Sequence, residues 1–143
     1  MTMAPRRGEN YSVDLNPVKG REQAGTRPVV VLSIDYINSL PLVATVVIGT
    51  KSANVPQEFR TNVRVPSEES GLPEETVFLG FQIRSLDHQR FPLLPAGALS
   101  AQYFRKVEDA VRYCLGLPQA VLLADIGEPP LLSKEGDSWC ACC

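Results

Sequence analysis

Arg27 stands directly before Pro28 and the run Val29-Val30-Val31-Leu32, and behind it lies a polar loop bracketed by Gly20 and Gly25. Proline biases the preceding residue towards an extended backbone, and the apolar run then reads as a buried strand. Glycine tolerates positive φ and close backbone approach, which suits Gly20 and Gly25 to a compact loop. Arg27 is therefore expected on a rigid strand edge, projecting into whatever the loop covers. A guanidinium is planar, offers five donors and stays charged, so such an edge presents it as a fork to an oxyanion. The alternative is a plain surface contact, the usual fate of arginines at strand starts. A second polar group closes a later strand, where Thr50, Lys51 and Ser52 end the run 43–49 with hydroxyls and a positive charge. On pattern alone, a strand-end threonine is most often just a good strand former.

The 143 residues have room for one domain with a proper core. A hydrophobic share of 44% and a charged share of 21% match an ordinary globular protein. The longest apolar runs, such as 43–49, are far too short to span a bilayer. Residues 1–7 carry two arginines with no apolar stretch behind them, so no secretory signal is read there and a cytoplasmic location is expected. The net charge of −2 is uneven: residues 1–117 carry 13 Lys and Arg against 12 Asp and Glu, while 118–143 carry Lys134 against four acids. Neither part has the basic excess of a typical nucleic-acid binder, so any such site must be a local patch. Of the four cysteines, Cys114 falls on the apolar face of a predicted helix and reads as a small core residue. Cys140, Cys142 and Cys143 lack a second ligand cluster for a metal and formally fit a prenylation pattern; a reduced, disordered tail is the expectation.

Strands are predicted over 11–15, 28–33, 43–49, 60–65 and 76–86, with Gly80 as a bulge or close-approach point in the last. Residues 35–41 read as a polar turn, 68–75 as a solvated acidic connection, and 91–99 as an extended piece holding a short strand. Ser100 is placed as the N-cap of a helix to about Leu115, stopped by Gly116 and Pro118. Phe104, Val107, Val111 and Cys114 recur along it at three- and four-residue steps, giving one apolar face. Five or so strands and one amphipathic helix imply a mostly β fold, a small antiparallel barrel with a C-terminal helix packed on it. Residues 118–143 form an appendage of mixed character, ordered at most near its start.

Several stretches resemble one family in order and spacing, the MazF/PemK toxins. They are Arg7-Gly8-Glu9, Asp14-Leu15-Asn16-Pro17, Gly20, Glu22-Gln23-Ala24-Gly25-Thr26-Arg27-Pro28-Val29 and Gln82-Ile83-Arg84-Ser85-Leu86-Asp87. Leu99-Ser100 and 107–117, ending in Leu-Gly-Leu, fit that family's last helix. The match covers roughly residues 6–117, which sets a toxin domain at 1–117. It implies an SH3-like small barrel of the MazF/PemK/CcdB-like kind, acting as a homodimer. It also implies a ribosome-independent, metal-independent endoribonuclease, without cofactor, that cuts single-stranded RNA at a short sequence. The implied partner is a cognate MazE-like antitoxin whose disordered tail wraps the dimer and blocks the RNA groove, the complex also binding DNA. The family's catalytic arginine and threonine correspond to Arg27 and Thr50. Two departures stand out: Asn10 replaces part of a bulky aromatic and apolar pair, and Ile34 stands before Asp35 where Asn is common. Gly49, just before Thr50, and the tail after Leu117 are also unusual. These bear on the RNA sequence recognised more than on the chemistry.

Without a metal, RNA is cleaved when its own 2′-hydroxyl attacks the adjacent phosphorus, leaving a 2′,3′-cyclic phosphate and a 5′-hydroxyl. The nucleophile belongs to the substrate, so the protein need only move protons and hold the charged phosphorane. Arg27 can fork onto two phosphate oxygens and protonate the leaving oxygen, and Thr50 can donate to a non-bridging oxygen. Glu22 and Gln23 can read base edges from the loop, with Glu22 assisting proton removal, or can make loop-stabilising hydrogen bonds. Gln82 and Arg84 share one strand face and can line the groove beside the phosphates, or pair across the sheet with an acid. His88 is the only histidine, which excludes a two-histidine mechanism within one chain; beside Asp87 it reads as a surface residue. Arg105, Lys106 and Arg112 read as a solvated helix face. The competing class is a non-enzymatic toxin of the same fold that poisons a protein such as DNA gyrase, with Trp139 an echo of that branch. A catalytically weak binding module is a third.

Overall fold

The computed structural model describes residues 4–119. In chain order these form β1 (Glu9–Asp14), β2 (Thr26–Val31), the single-turn α1 (Asp35–Asn38), β3 (Val43–Lys51), β4 (Asn62–Val65), the single-turn α2 (Ser67–Ser70), β5 (Thr76–Asp87), β6 (Gly97–Ala98) and α3 (Ala101–Leu115). The strands make one antiparallel sheet in the order β4-β5-β3-β2-β1-β6. It curls into a half-barrel, with α3 packed on one face.

Both faces of the central strands are buried, which explains why β2 and β3 read as unbroken Val and Ile runs rather than alternating ones. Val30 and Val47 point to one side and join Phe78, Val63, Val65 and Leu99 under Val107, Ala110 and Val111 of α3. Val29, Val31, Val46 and Ile48 point to the other side, where Tyr11, Val13, Leu15 and Leu86 complete a second layer against Val18 and Phe91. Leu15 and Val18, at the start of the glycine-bracketed loop, pack on this second layer, which lies on the sheet face that carries Arg27.

The long strand β5, between edge strand β4 and β3, is irregular. Its pairing with β3 slips between Val47–Ile83 and Gly49–Phe78, leaving residues 79–82 bulged. Gly80 sits in this bulge and under α3, where a Cβ would stand 2.6 Å from the Thr61 carbonyl oxygen and 3.2 Å from the Ala110 backbone. Both readings of that glycine hold together.

Other expectations shift. The predicted turn 35–41 begins with α1, whose Asn38 is buried and donates from Nδ2 to the Ser33 carbonyl at 2.8 Å. The acidic stretch 68–75 is more than a solvated connection: it opens with the end of α2, and Ser70 and Leu72 are buried. Gly71, at φ 75°, turns the chain so that the Ser70 carbonyl accepts from Asn10 Nδ2 at 2.6 Å. The Glu69 carbonyl accepts from the Ser100 amide at 2.9 Å. Since α2 follows edge strand β4 and these partners flank β1 and β6, α2 ties the two edges of the curl together. One apolar residue among acids gives no periodic signal, so the sequence pattern hides this clasp.

The helix runs as expected and stops at Gly116, at φ 69°. Ser100 occupies the N-cap position with its side chain unused for capping, its Oγ being buried without a partner among the described residues. Cys114 is only half-buried, at the rim of the core, and burial pushes its thiol pKa up. Arg112 is not simply solvated, pairing with Asp109 at 3.0 Å and Glu108 at 3.7 Å. The appendage beyond Gln119, with Trp139, Cys140, Cys142 and Cys143, lies outside the described residues.

Candidate active site

The loop before β2 is closed by backbone chemistry. Gly20 and Gly25 adopt φ of 56° and 77°, conformations that favour glycine. The Leu15 amide donates to the Gly25 carbonyl at 3.0 Å, and the Gly25 amide to Asn16 Oδ1 at 3.3 Å. The chain therefore re-enters the sheet with Arg27 on the second-layer face, one side chain beyond Val29.

Across from β2, Val29 faces Ile48. Extending that register by two residues puts Arg27 opposite Thr50, and the side chains meet: Arg27 Nη1 lies 3.4 Å from Thr50 Oγ1. The guanidinium is held from behind, its Nε donating to the Ala24 carbonyl at 3.0 Å. Thr50 is 3% exposed. Its hydroxyl oxygen also accepts from Asn54 Nδ2 at 2.9 Å. A cation held at Nε thus sits beside a hydroxyl at the end of a strand pair, and both offer hydrogen-bond donors of the kind an oxyanion accepts.

Glu22, Gln23, Gln82 and Arg84 come together. With Ile48 and Ile83 they line one open cleft of about 360 Å³. Ile48 lies on the same sheet face as Thr50, two residues earlier on β3, so the cleft opens on the face of the Arg27–Thr50 pair, although neither Arg27 nor Thr50 lines it. No hydrogen bond among the described residues engages the side chains of Glu22, Gln23 or Gln82. Arg84 is different: its Nη1 donates to the Leu15 carbonyl at 2.6 Å. It pairs with no cross-strand acid among the described residues, and it holds the root of the loop while lining the cleft.

The remaining candidates fall elsewhere. His88 follows the end of β5 that pairs with Val43, whereas Thr50 pairs with Val77 at the other end. The length of β3 separates them, roughly 20 Å at strand rise. Ile34 is exposed beyond the far end of β2 from Arg27. Asn10 is fully buried in the α2 clasp, a structural position and not a surface one. A larger groove of about 650 Å³ runs between β4 and α3 and holds none of the expected site residues. Its Arg64 is already paired, with Glu58 at 3.6 Å and Glu75 at 3.4 Å. No group of three or more His, Cys, Asp or Glu side chains suited to a metal occurs among the described residues. No helix there is long and apolar enough to cross a membrane.

Asn54 is the residue that sequence reasoning missed. Its signal is faint, an amide four residues after Thr50 in a polar stretch. A 3₁₀ turn over Ser52–Asn54 folds it back onto the threonine.

Comparison with known proteins places the chain in a family. Residues 6–115 match the family described as PemK-like, MazF-like toxin of type II toxin-antitoxin system. The chain is 36% identical over 115 residues to the endoribonuclease MazF of Staphylococcus epidermidis, covering 78% of this chain and 92% of that protein. Its fold is shared with the crystal structure of MazF from Deinococcus radiodurans, at a TM-score of 0.69 and 24% identity over 80% of this chain and 99% of that one. A mycobacterial endoribonuclease solved in complex with its cognate antitoxin superposes at a TM-score of 0.62, with 23% identity over 82% of this chain and 98% of that one. The chain belongs to the PemK-like, MazF-like toxin family.

Proposed function

We propose that this chain is a sequence-specific endoribonuclease toxin that cuts single-stranded RNA without ribosome or metal. The observation that carries the reading is the Arg27–Thr50 pair beside the cleft of Glu22, Gln23, Gln82 and Arg84. The substrate's 2′-oxygen attacks the adjacent phosphorus while the bond from phosphorus to the 5′-oxygen breaks. Glu22, the one carboxylate lining the cleft among the described residues, takes the 2′-hydroxyl proton. Arg27 forks onto the phosphate and supplies a proton to the departing 5′-oxygen as its charge builds. Thr50 donates to a non-bridging oxygen of the phosphorane. The products are a 2′,3′-cyclic phosphate and a 5′-hydroxyl, and DNA, lacking the 2′-hydroxyl, is not cut.

The RNA lies along the cleft, where the side chains of Glu22, Gln23 and Gln82, without hydrogen-bond partners among the described residues, meet base edges and Arg84 holds the loop that carries Glu22 and Gln23. The protein acts as a homodimer in the cytoplasm. A cognate antitoxin neutralises it, as the complex of the mycobacterial relative suggests. Cleavage resides in residues 1–117, so removing 118–143 leaves it intact.

The test is incubation of purified protein with a long single-stranded RNA in EDTA, beside Arg27→Ala. Discrete fragments with 5′-hydroxyl ends, absent with the variant, are expected. Intact RNA with the wild type, or fragments that require added metal, would overturn the reading.

A further inference from the structure

A threonine hydroxyl has one proton to donate and two lone pairs that accept. In this site both lone pairs have claimants. Asn54 Nδ2 lies 2.9 Å from Thr50 Oγ1, and Arg27 Nη1 lies 3.4 Å from the same oxygen. With two N–H groups aimed at the oxygen, the only hydrogen-bonding capacity left to Thr50 is its own O–H. We infer that Asn54 is a positioning residue that fixes the Thr50 hydroxyl as a hydrogen-bond donor towards the scissile phosphate. The inference rests on the RNA-cleaving reading of the site and adds a residue to it.

The placement of Asn54 is built, not incidental. Its 3₁₀ turn is pinned at the front by the Ser52 amide donating to the Glu75 carbonyl at 3.2 Å. Behind it, the Val55 amide closes the turn on the Ser52 carbonyl at 3.0 Å, and Arg64 Nη2 donates to the Val55 carbonyl at 2.6 Å. Asn54 itself is exposed, so its side chain is not held there by packing. The amide is presented to Thr50 by an anchored backbone on a side chain only two torsions long.

The consequence for catalysis is directional. When RNA arrives, Arg27 forks onto the phosphate with its other N–H groups and keeps its 3.4 Å contact to Thr50. Asn54 holds the second lone pair, so the Thr50 proton points outward. Without Asn54, the hydroxyl is free to rotate and spend its proton elsewhere, which costs turnover but not affinity. An aspartate is nearly isosteric but has no N–H, so at neutral pH its carboxylate accepts a hydrogen bond from the Thr50 O–H and turns that donor away from the phosphate.

The experiment measures kcat and KM on one cleavable RNA for wild type, Asn54→Ala, Asn54→Asp, Thr50→Val and the double variant Thr50→Val/Asn54→Ala. Asn54→Ala is expected to lose about tenfold in kcat, the worth of one hydrogen bond, with KM and Tm unchanged. Asn54→Asp is expected to lose more than Asn54→Ala. Adding Asn54→Ala to Thr50→Val is expected to cost nothing further, since an asparagine that acts only through the hydroxyl has nothing left to act on. Independent, multiplied losses in the double variant, a change in KM alone, or wild-type turnover in Asn54→Ala would each overturn the inference while leaving the nuclease reading in place. A wild type that cuts no RNA would overturn that reading and this inference with it.

Discussion

Arg84 Nη1 donates to the Leu15 carbonyl at 2.6 Å, joining β5 to the point where β1 enters the loop that carries Glu22 and Gln23. The same carbonyl's residue donates its amide to Gly25, two positions before Arg27. One arginine therefore holds the cleft wall and the root of the loop that leads to Arg27. Arg84→Ala is expected to loosen residues 16–25, raising KM severalfold and lowering kcat. Faster hydrogen exchange confined to those residues is the measurement that checks it. A variant with altered KM but unchanged loop exchange would make Arg84 a simple RNA contact instead.

Arg27 is held at Nε by the Ala24 carbonyl at 3.0 Å, which fixes the plane of its fork. A lysine keeps the charge but loses the planar, two-pronged geometry and the Nε donor. Arg27→Lys is thus expected to keep RNA affinity within a fewfold while kcat falls by about 10²–10³, the scale of losing one preorganised donor to a developing oxyanion. Single-turnover cleavage with a separate filter-binding measurement resolves the two. Near-wild-type turnover in the lysine variant would mean that charge alone suffices.

Much of this was legible in the chain. The Val runs of β2 and β3, the α3 stripe and its Gly116 stop follow from local rules of burial and capping. Arg27 and Thr50 were legible through the family resemblance, because neither residue type is distinctive alone. The structure adds that the register set by Val29 and Ile48 makes them neighbours. What stayed hidden depends on long-range partners. Asn10 looks out of place as a residue and makes sense only against the Ser70 carbonyl, sixty positions away. Asn54 is invisible for the same reason in miniature: its role depends on a turn pinned by Glu75 and Arg64. Arg84 was legible as part of the cleft, but its commitment to a backbone carbonyl was not.

Gly80 allows the sheet and α3 to touch. A Cβ there would stand 2.6 Å from the Thr61 carbonyl oxygen and 3.2 Å from the backbone and Cβ of Ala110, and backbone atoms have little room to give. The Gly80 amide also donates to that Thr61 carbonyl at 2.8 Å, so the clash strikes a bonded pair. Gly80→Ala is expected to destabilise by about 1–3 kcal/mol, the range for overpacking a tight core. Urea unfolding should show a lower midpoint with an unchanged slope. An unshifted midpoint would mean that α3 rides outward at no cost.

Tyr11 contributes to stability in a way that depends on alkaline pH. It is 3% exposed, stands edge-on to Phe91 at 5.3 Å, and donates from its hydroxyl to Glu9 Oε1 at 3.1 Å. Burial first, then the nearby Glu9 charge and that hydrogen bond, push its pKa up from 10.0 to about 12. Between those values the unfolded chain has released the phenolic proton while the folded chain still holds it. The folded state then binds more protons, so stability falls as pH rises. The contribution is fully present below pH 10 and lost as pH climbs through about 12. Tyr11→Phe cannot titrate, so the stability difference between wild type and variant should shift in the variant's favour across this window and stay flat below it. Urea midpoints taken at intervals from pH 8 upward check this, and parallel curves for the two proteins would place the alkaline sensitivity in other groups.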